Sequence, residues 1–564
     1  MDCSDRTHAT SRIVLRSAIA CLLATLCTSC SASGGASGDA AATASSGGTG
    51  GGAGSGSGAG AGAPSTDVLT YHNDLARTGQ YLAETTLTPS NVNAAQFGKV
   101  AFLAADGKVD AQPLYVSNVS MNGATHNVVY VATEHASLYA YDADSNAKLW
   151  QRSLLGSGET PSDNRNCSQI TPEIGITSTP VIDRSRGAHG VIYAVAMSKD
   201  ANGAYHQRLH ALDLSTGAEM LRGPVEIAAT FPGTGANSAN GVTLFDPKQY
   251  AERQALALVG GNLYLAWTSH CDEGAYGGWI MAYSADTLAQ TSVLNVTPNG
   301  SEGSVWMSGA GMASDGTSLY FLDANGTFDT TLDGNGFPSH GDYGNTFLKL
   351  AISPKLSVSD YFAPFNTVTE SNQDIDLGSG GVLVLPDLVD ADGTTRHLAV
   401  GAGKDKKIYV VDRNAMGKFN STRNAIWQEI DGQLGGGVFS MPAYYRNVVY
   451  YGAVGDALKA FPITAARLAA TPASKSPGVF PYPGTTPSIS ANGTQNAIVW
   501  AAENGSVGAL HAFDASNLSH ELYNSNQSGT RDHFGAGNKF ITPMIAHGHV
   551  YVGATNGVAV FGQR

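Results

Sequence analysis

The chain of 564 residues is poor in charged side chains and lacks a cluster of basic ones. Asp, Glu, Lys and Arg make up 14% of the residues, against about 25% in an average soluble protein, and the formal net charge is −14. Nucleic acids and anionic lipid surfaces attract proteins through clusters of Lys and Arg. This composition excludes nucleic acid as a partner and leaves a small molecule, a glycan or a protein.

The apolar run nearest the N-terminus is too short to span a bilayer as a helix. Residues 18–27, AIACLLATLC, follow Arg12 and Arg16 and have the length and flanks of a signal peptide. Small residues then precede Cys30, an arrangement similar to a bacterial lipobox, although Cys27 stands where Leu is usual. We expect residues 1–30 to be a signal peptide and Cys30 to be lipidated. Cleaved secretion and an unprocessed N-terminus are the alternatives.

Residues 31–66 contain almost nothing but Gly, Ser, Ala and Thr. Such a segment cannot bury enough apolar surface to order itself, so we predict a disordered tether. The protein is then exported and either lipid-anchored on the outer membrane, facing the periplasm or the cell surface, or secreted. Its contact with the membrane is expected through the lipid anchor only, and the folded part, residues 67–564, is expected to be a monomer.

Cysteine is scarce in the part of the chain that folds. Of six cysteines, only Cys167 and Cys271 lie beyond residue 66. Two cysteines in an oxidising compartment predict one disulfide, and their loops are expected to meet at one rim. Two buried thiols, or a metal pair without CxxC or HxxxH spacing, are the alternatives.

Several common catalytic patterns are missing. GxSxG is absent and the histidines are scattered, so no Ser/His/Asp set is recognisable. The Gly-rich pieces LGSGG, LGGG and HFGAG do not connect a strand to a helix, which disfavours a phosphate cradle. These glycines instead favour strands that crowd around an axis.

What the chain does contain is a repeat. The stretch VYVATEHASLYAYDADSNAKLW, residues 129–150, recurs imperfectly to the C-terminus as VIYAVAMSKD, LYLAWTSHCD, VYYGAVGD, IVWAAENG and VYVGATNG. Each copy has two apolar runs separated by a polar turn, at intervals of roughly 45–75 residues. Strand pairs joined by Gly, Asn and Asp turns predict small antiparallel sheets, and their natural closed assembly is an all-β propeller.

The number of inner strands predicts the number of blades. A short segment, often with a proline, precedes each repeat, and these segments number eight, from residues 111–117 to residues 541–547. We therefore predict an eight-bladed β-propeller of four-stranded antiparallel blades, with seven blades as the alternative because the fourth unit has diverged. The last unit is one strand short, so residues 97–104, FGKVAFLA, are predicted to supply its outer strand and close the ring.

The repeat ending, an aromatic residue, any residue and Asp before a turn, occurs in YAYDADSNAKLW, HALDLSTG, YVVDRNAMG and HAFDASNLS. It resembles the repeat of pyrroloquinoline-quinone (PQQ) type propellers over residues 97–562. That family includes PQQ-dependent alcohol dehydrogenases and cofactor-free lipoproteins of outer-membrane assembly, so the resemblance implies a fold more than an activity. The repeat residues themselves are expected to be scaffolding, with Asp142 and Asp213 capping turns.

Unusual residues concentrate in loops on one predicted face. A PQQ enzyme needs an aromatic or sulfur platform for the quinone, a Ca²⁺ held by hard oxygen ligands, and a carboxylate base. The cofactor-site candidates on this face are Glu134, Glu173, Trp279, Glu302, Trp306, Asp376 and Lys404. Glu173 and Asp272 are the candidate metal ligands. The alcohol-dehydrogenase branch carries two adjacent cysteines as a stacking plate, whereas this chain has neither a Cys-Cys pair nor a CxxCH haem-attachment sequence.

Three functions therefore remain open. The leading hypothesis is a binding or scaffold module, without a cofactor, whose ligand lies at the loop-rich face. The second is a PQQ- and Ca²⁺-dependent dehydrogenase that oxidises an alcohol or a sugar at the same place. The third is a polysaccharide-binding or polysaccharide-active propeller in which Trp279, Trp306, Tyr276 and Tyr482 stack on sugars.

Overall fold

The computed structural model describes residues 66–564. The proposed signal peptide, Cys30 and the tether up to residue 65 lie outside the described residues. Within residues 66–564 the chain is nearly all strand, and its one α-helix is Thr367–Asn372. β-Branched and aromatic side chains alternate with small ones along the strands, and such side chains pack well on a pleated, buried surface.

Eight sheets of the described chain contain four antiparallel strands in an inner-to-outer order, and we call them blades 1 to 8. The strands of blades 1 to 4 are Leu114–Met121, Ala124–Ala132, Ser137–Asp142, Lys148–Ser153; Val181–Asp183, Val191–Lys199, Tyr205–Asp213, Val225–Glu226; Ala257–Val259, Asn262–Ala266, Trp279–Ser284, Gln290–Asn295; and Ala313–Ser314, Ser318–Leu322, Phe347–Ala351, Ser357–Ala363. Those of blades 5 to 8 are Leu383–Val384, Leu398–Ala402, Ile408–Asp412, Gln428–Ile430; Ala443–Tyr445, Val448–Tyr451, Lys459–Thr464, Ser474–Lys475; Ser488–Asn492, Gln495–Glu503, Ala509–Asp514, Glu521–Asn524; and Met544–Ala546, His549–Ala554, Gly557–Gln563, Phe97–Ala104.

Short elements decorate the blades. The additional strands are Gln80–Tyr81, Thr160–Asp163, Glu173–Ile174, Thr230–Pro232, Ser238–Ala239, Val242–Leu244, Tyr250–Ala251, Thr268–Ser269, Leu388–Val389, Thr395–Arg396, Lys418–Phe419 and Arg467–Leu468. Two 3₁₀ turns, Met307–Gly309 and Leu377–Ser379, lie in loops between blades. No helix among residues 66–564 has the length and apolar character needed to cross a membrane.

The outer strand of blade 8 comes from the N-terminal side of the chain, as predicted. Phe97–Ala104 pairs antiparallel with Gly557–Gln563, the last strand. Phe97 is fully buried, and its ring packs against Trp500, Tyr523 and Phe561. This pairing joins the two ends of the folded chain in one sheet and covers the edge of blade 8.

The repeat residues connect neighbouring blades. Tyr130, Tyr193 and Tyr450 each donate a hydroxyl hydrogen bond to a backbone carbonyl of the next blade, at 2.9, 2.7 and 2.9 Å. The aspartate of the repeat caps its own turn: Asp142 accepts from the backbone N–H of Ser145 at 2.7 Å, and Asp213 accepts from that of Ser215 at 3.0 Å. The predicted scaffolding roles of these aspartates are confirmed.

A segment before the first blade, residues 68–79, runs along the inner strands of most blades. Its backbone groups hydrogen-bond to Tyr115 of blade 1, Ile182 of blade 2, Ser314 of blade 4, Val384 of blade 5, Tyr444 of blade 6 and Ile489 of blade 7. Arg77 in this segment is completely buried and donates to Met312 O and Tyr71 O. The segment therefore holds the ring together from its axis. The sequence did not predict it, because these contacts use backbone groups and impose no repeat pattern.

Candidate functional site

Loops from several blades enclose a cavity of about 380 Å³, which we call the rim cavity. Most of its lining comes from the loops that the sequence placed on one face, whereas Asn164, Ala251, Arg253, Ala324, Asn325 and Phe439 come from other segments. The lining residues are Asn164, Cys167, Gln169, Ile170, Ile174, Ala251, Arg253, Thr268, Ser269, His270, Cys271, Asp272, Ser304, Trp306, Ala324, Asn325, Asp374, Asp376, Lys404, Phe439 and Tyr482. Of the predicted site residues, the cavity brings together Asp272, Trp306, Asp376, Lys404 and the two cysteines.

Aromatic rings from four loops form one side of the site. Trp306 is half-buried and meets Phe439 and Phe540 edge-on, each at 5.7 Å between ring centroids. Tyr482 packs edge-on against the same two phenylalanines, at 5.4 and 6.1 Å. Edge-on packing supports Trp306 and Tyr482 from the side, and both residues line the cavity.

The loop that carries Trp306 is strained. Met307, Ser308 and Gly309 all have a positive φ, of 43°, 54° and 90°, and non-glycine residues rarely adopt this left-handed region. The buried Ser308 hydroxyl donates to Ser379 O at 2.6 Å and so ties the loop to the blade 5 side. Strain that the surroundings maintain in this way is typical of a functional loop.

An ion pair lines the same cavity as the aromatic rings. Lys404 Nζ lies 2.7 Å from Asp376 Oδ1 and also contacts Asp374. Asp376 is 1% exposed and its Oδ2 has no hydrogen-bond partner, whereas the Asp374 side chain is 67% exposed. Burial raises the pKa of Asp376, and the ammonium of Lys404 opposes that rise. The wall therefore offers one buried carboxylate oxygen that is free to accept a proton.

Further oxygen ligands surround this pair. Asn325 donates to Asp374 at 2.8 Å, and its own Oδ1 has no partner. Asp323 is fully buried with both oxygens unpartnered, and burial, followed by the charge of Asp376, raises its pKa. Glu302 is half-buried and does not line the cavity, but burial and the charges of the nearby aspartates raise its pKa. Among residues 66–564, no three His, Cys, Asp or Glu side chains are grouped to hold a metal ion.

The two cysteines are joined in a disulfide, as predicted. The Cα atoms of Cys167 and Cys271 are 5.6 Å apart, and both residues line the rim cavity. Cys167 is buried in the loop that enters blade 2, and Cys271 is exposed in a loop of blade 3. Asp272 follows at once, and its Oδ1 accepts from Tyr276 at 2.6 Å and from Ser269 at 2.9 Å. The bond therefore fixes the loop that presents Asp272.

Breaking this bond should destabilise the protein. The disulfide closes a loop with a sequence separation of 104, and bridges of this kind contribute about 2–4 kcal/mol. We expect the Cys167→Ser, Cys271→Ser double variant to unfold at a lower urea concentration than the wild type. Dithiothreitol should not change the unfolding midpoint of this variant. Wild-type protein should show the same shift only when reductant is present, and an unchanged midpoint under reduction would contradict this expectation.

Two predicted aromatic site residues are instead buried in blade 3. Trp279 is 1% exposed, donates from Nε1 to Tyr250 at 3.0 Å, and packs against Phe245. Tyr276 is also 1% exposed. The prediction of Trp279 as a platform for a quinone, or of either ring as a sugar platform, was wrong, because both rings are buried in the apolar core that blades 2 and 3 share.

Two predicted glutamates lie outside the cavity lining. Glu173 is half-exposed and its Oε1 lies 2.9 Å from His135 Nδ1. Glu134 is fully buried, and its Oε2 accepts from Gly175 N and Thr177 Oγ1, each at 2.9 Å. Burial, together with the neighbouring charge of Asp110, raises the pKa of Glu134 to about 8.

The raised pKa predicts a pH-dependent effect of Glu134→Gln. A glutamate in the unfolded chain ionises above about pH 4.5, whereas Glu134 in the folded protein stays protonated until about pH 8. The contribution of this group to the free energy of unfolding of the wild type therefore decreases as the pH rises from about 4.5 to about 8. Glutamine cannot ionise and keeps an oxygen for Gly175 and Thr177. We expect the stability advantage of the variant to grow from pH 5 to pH 8 and then level off, as measured by urea unfolding. The half-exposed Glu173→Gln serves as the control, and a pH-independent difference would contradict the assignment.

Arg253 and Phe439 are cavity residues that sequence reasoning missed. Arg253 stands in YAERQALAL, just before an inner strand, and it is 3% exposed while its Nε and Nη1 have no partner. The sequence could have identified Arg253 from its position just before an inner strand. A charged residue at that position lies near the axis of the propeller and cannot easily reach bulk solvent. His270 was also passed over, and burial lowers its pKa to about 4, so it is neutral at pH 7.

The fold and the cavity define a β-propeller with a loop-built pocket at one rim, and known structures share this architecture. The chain is similar to the quinohemoprotein alcohol dehydrogenase of Comamonas testosteroni, with a TM-score of 0.58, 14% identity, and coverage of 89% of this chain and 81% of that one. It is also similar to the quinohemoprotein alcohol dehydrogenase ADHIIG of Pseudomonas putida HK5, with a TM-score of 0.53, 14% identity, and coverage of 88% and 80%.

A europium-containing methanol dehydrogenase has a TM-score of 0.55 at 12% identity, with coverage of 88% of this chain and 98% of that one. At these identities the similarity shows the fold alone. No protein-family model matches the sequence, and no curated protein matches it either.

Proposed function

We propose that the rim cavity binds a planar, carboxylate-bearing quinone of the PQQ type and that the protein is an oxidoreductase acting on an alcohol or a sugar. The observation that supports this most strongly is that the Asp376–Lys404 pair and Trp306 line one cavity of about 380 Å³. A carboxylate with a free oxygen provides a general base, and an aromatic ring in the same cavity provides a stacking surface for a planar reactant. The similarity in fold to alcohol and methanol dehydrogenases is consistent with this choice.

The residues present fit a quinone. Trp306 would support one face of its rings, and the Cys167–Cys271 disulfide lines the same cavity, although it is not the adjacent cysteine pair expected from the alcohol-dehydrogenase branch. Lys404 and Arg253 supply positive charge for carboxylates and quinone oxygens. The lining also contains the kinds of oxygen that Ca²⁺ takes, in the carboxylate of Asp272 and the unpartnered amide oxygen of Asn325, although among the described residues no three His, Cys, Asp or Glu side chains are grouped to hold a metal ion.

When bound, PQQ supplies the two-electron acceptor for oxidation of a carbon–hydrogen bond. Residues of the protein carry out the proton transfer and hold the reacting groups in place. Asp376 Oδ2 accepts the proton of the substrate hydroxyl, Lys404 holds that carboxylate in place through Oδ1, and the strained loop at Met307–Gly309 fixes Trp306. The disulfide joins two of the loops that line the cavity.

A second candidate is a binding module without turnover, which was the leading hypothesis from the sequence. It is favoured by Lys404, whose ammonium already pairs with the carboxylates of both Asp374 and Asp376. In this case the cavity holds a small molecule in the same orientation, and Asp376 acts only as a hydrogen-bond acceptor. We propose in both cases that the protein is exported and anchored through Cys30, which mass spectrometry of the membrane fraction can test.

Reconstitution separates the two candidates. The purified protein is incubated with PQQ and Ca²⁺, passed through gel filtration, and assayed by dye-linked oxidation of alcohols and aldoses. We expect quinone absorbance to elute with the protein and turnover to depend on PQQ. Retained quinone without turnover on any substrate supports the binding module, and loss of the quinone on the column contradicts the proposed cofactor.

A further inference from the structure

Arg253 is a buried cation that makes no ion pair with the acidic residues of the rim cavity. Its side chain is 3% exposed and lines both the rim cavity and a small polar pocket beside it. Nε and Nη1 have no hydrogen-bond partner, and none of the ion pairs within residues 66–564 includes Arg253. A guanidinium held out of water without an acceptor is costly, so a partner from outside the chain is expected.

The carboxyl groups nearest to Arg253 make no ion pair or hydrogen bond with it. The charge of Asp110 acts on Arg253 through space, but Asp110 Oδ2 lies 3.2 Å from Lys108 Nζ, and its Oδ1 accepts no hydrogen bond. Glu134 is protonated at pH 7, because its pKa is raised to about 8, and it accepts hydrogen bonds from Gly175 and Thr177. The other cavity cation, Lys404, is matched by Asp374 and Asp376. Within the described part of the chain, Arg253 is therefore the cation of the rim cavity whose N–H groups lack an acceptor.

The guanidinium of Arg253 lies over an aromatic ring. Its central carbon lies 4.4 Å from the ring centroid of Phe540, which in turn contacts Trp306. Phe540 has a φ of 64°, a left-handed conformation that is unfavourable for a bulky aromatic residue. This ring contact uses none of the N–H groups of the guanidinium, and a planar carboxylate can accept two such groups in a bidentate manner.

We propose that Arg253 is the anchor for a carboxylate group of the ligand in the rim cavity, so that this ligand is an organic acid. The inference rests on the proposed function only in assigning the ligand to the same cavity. The carboxylate has two chemical sources: the quinone itself, or a hydroxy-acid or sugar-acid substrate. In either case the acid group lies at Arg253 and the opposite end of the ligand approaches Asp376.

Calorimetry on the full-length exported protein tests the proposal in two arms. One arm titrates PQQ alone, and the other titrates gluconate and lactate beside their neutral counterparts, glucose and propane-1,2-diol. The variants are Arg253→Gln, which removes the charge, and Arg253→Lys, which keeps it. Arg446→Gln is the matched control, since Arg446 is exposed in a turn and donates to Thr494 O. Circular dichroism confirms that each variant is folded.

We expect at least one acid to bind about 10- to 100-fold more weakly to Arg253→Gln, with Arg253→Lys intermediate and Arg446→Gln unchanged. Binding of gluconate or lactate without binding of PQQ supports Arg253 and contradicts the quinone. Binding of PQQ that is equal in wild type and Arg253→Gln, with acids and neutral compounds indistinguishable, overturns the inference but not the proposed function. The wild type alone also gives a test: if it binds neither PQQ nor either acid more tightly than the neutral compounds, the inference is overturned.

Discussion

Replacing Asp376 with asparagine should reduce the turnover of the PQQ-loaded enzyme by about 10²- to 10⁴-fold, which is the usual contribution of a positioned general base. Asparagine has nearly the same shape and still accepts from Lys404, so the cavity should keep its form and its quinone. The free oxygen that takes the proton, Oδ2, becomes an amide nitrogen in the variant. Dye-linked turnover and quinone absorbance after gel filtration measure the two effects separately.

The neighbouring Asp374 is the matched control. It contacts the same lysine but its side chain is 67% exposed at the mouth, so we expect Asp374→Asn to change turnover by less than about tenfold, since an exposed ion pair contributes little. Because burial raises the pKa of Asp376, wild-type turnover should fall as the pH decreases through that raised value. Equal losses in both variants, or turnover that persists in Asp376→Asn, would remove Asp376 from the mechanism.

Truncating Phe97 to alanine should destabilise the protein by about 3–5 kcal/mol, the usual effect of removing a fully buried phenylalanine. Phe97 belongs to the strand that completes blade 8, and its ring touches Trp500, Tyr523 and Phe561. The cavity that remains would lie at the junction between the two ends of the folded chain. Urea unfolding followed by tryptophan fluorescence measures the change.

The same strand provides the control. Phe102 lies five residues further on and is 39% exposed, so Phe102→Ala should change the free energy of unfolding by no more than about 0.5 kcal/mol. A large effect at Phe97 and a small one at Phe102 is expected if blade 8 is closed by this strand. Similar effects at both positions would contradict the closure.

The sequence predicted the fold well because the fold is local and repeated. Alternating apolar runs, Gly and Asn turns, and the capping aspartates Asp142 and Asp213 each specify one strand pair at a time. The closing strand, Phe97–Ala104, was also predictable, because the last unit lacks a strand and this segment before the first blade had no other partner. The disulfide followed from two loops that the repeat placed at one rim.

The site was predicted less completely, since its residues do not belong to the repeat. Trp279 is the first residue of a strand. Side chains alternate between the two faces of a strand, but this alternation does not tell which face is buried against a neighbouring blade. Arg253 was missed because what distinguishes it is the lack of hydrogen-bond partners at Nε and Nη1, and only the three-dimensional structure shows this. The axial segment, residues 68–79, was missed because backbone carbonyls make its contacts, and any sequence supplies these.

The most direct test of the proposed site is a crystal structure of the protein grown with PQQ and Ca²⁺. We expect the quinone inside the rim cavity against Trp306, with a carboxylate at Arg253 and an open approach to Asp376. A quinone bound elsewhere on the propeller, or a rim cavity that remains empty at saturating PQQ, would contradict this expectation.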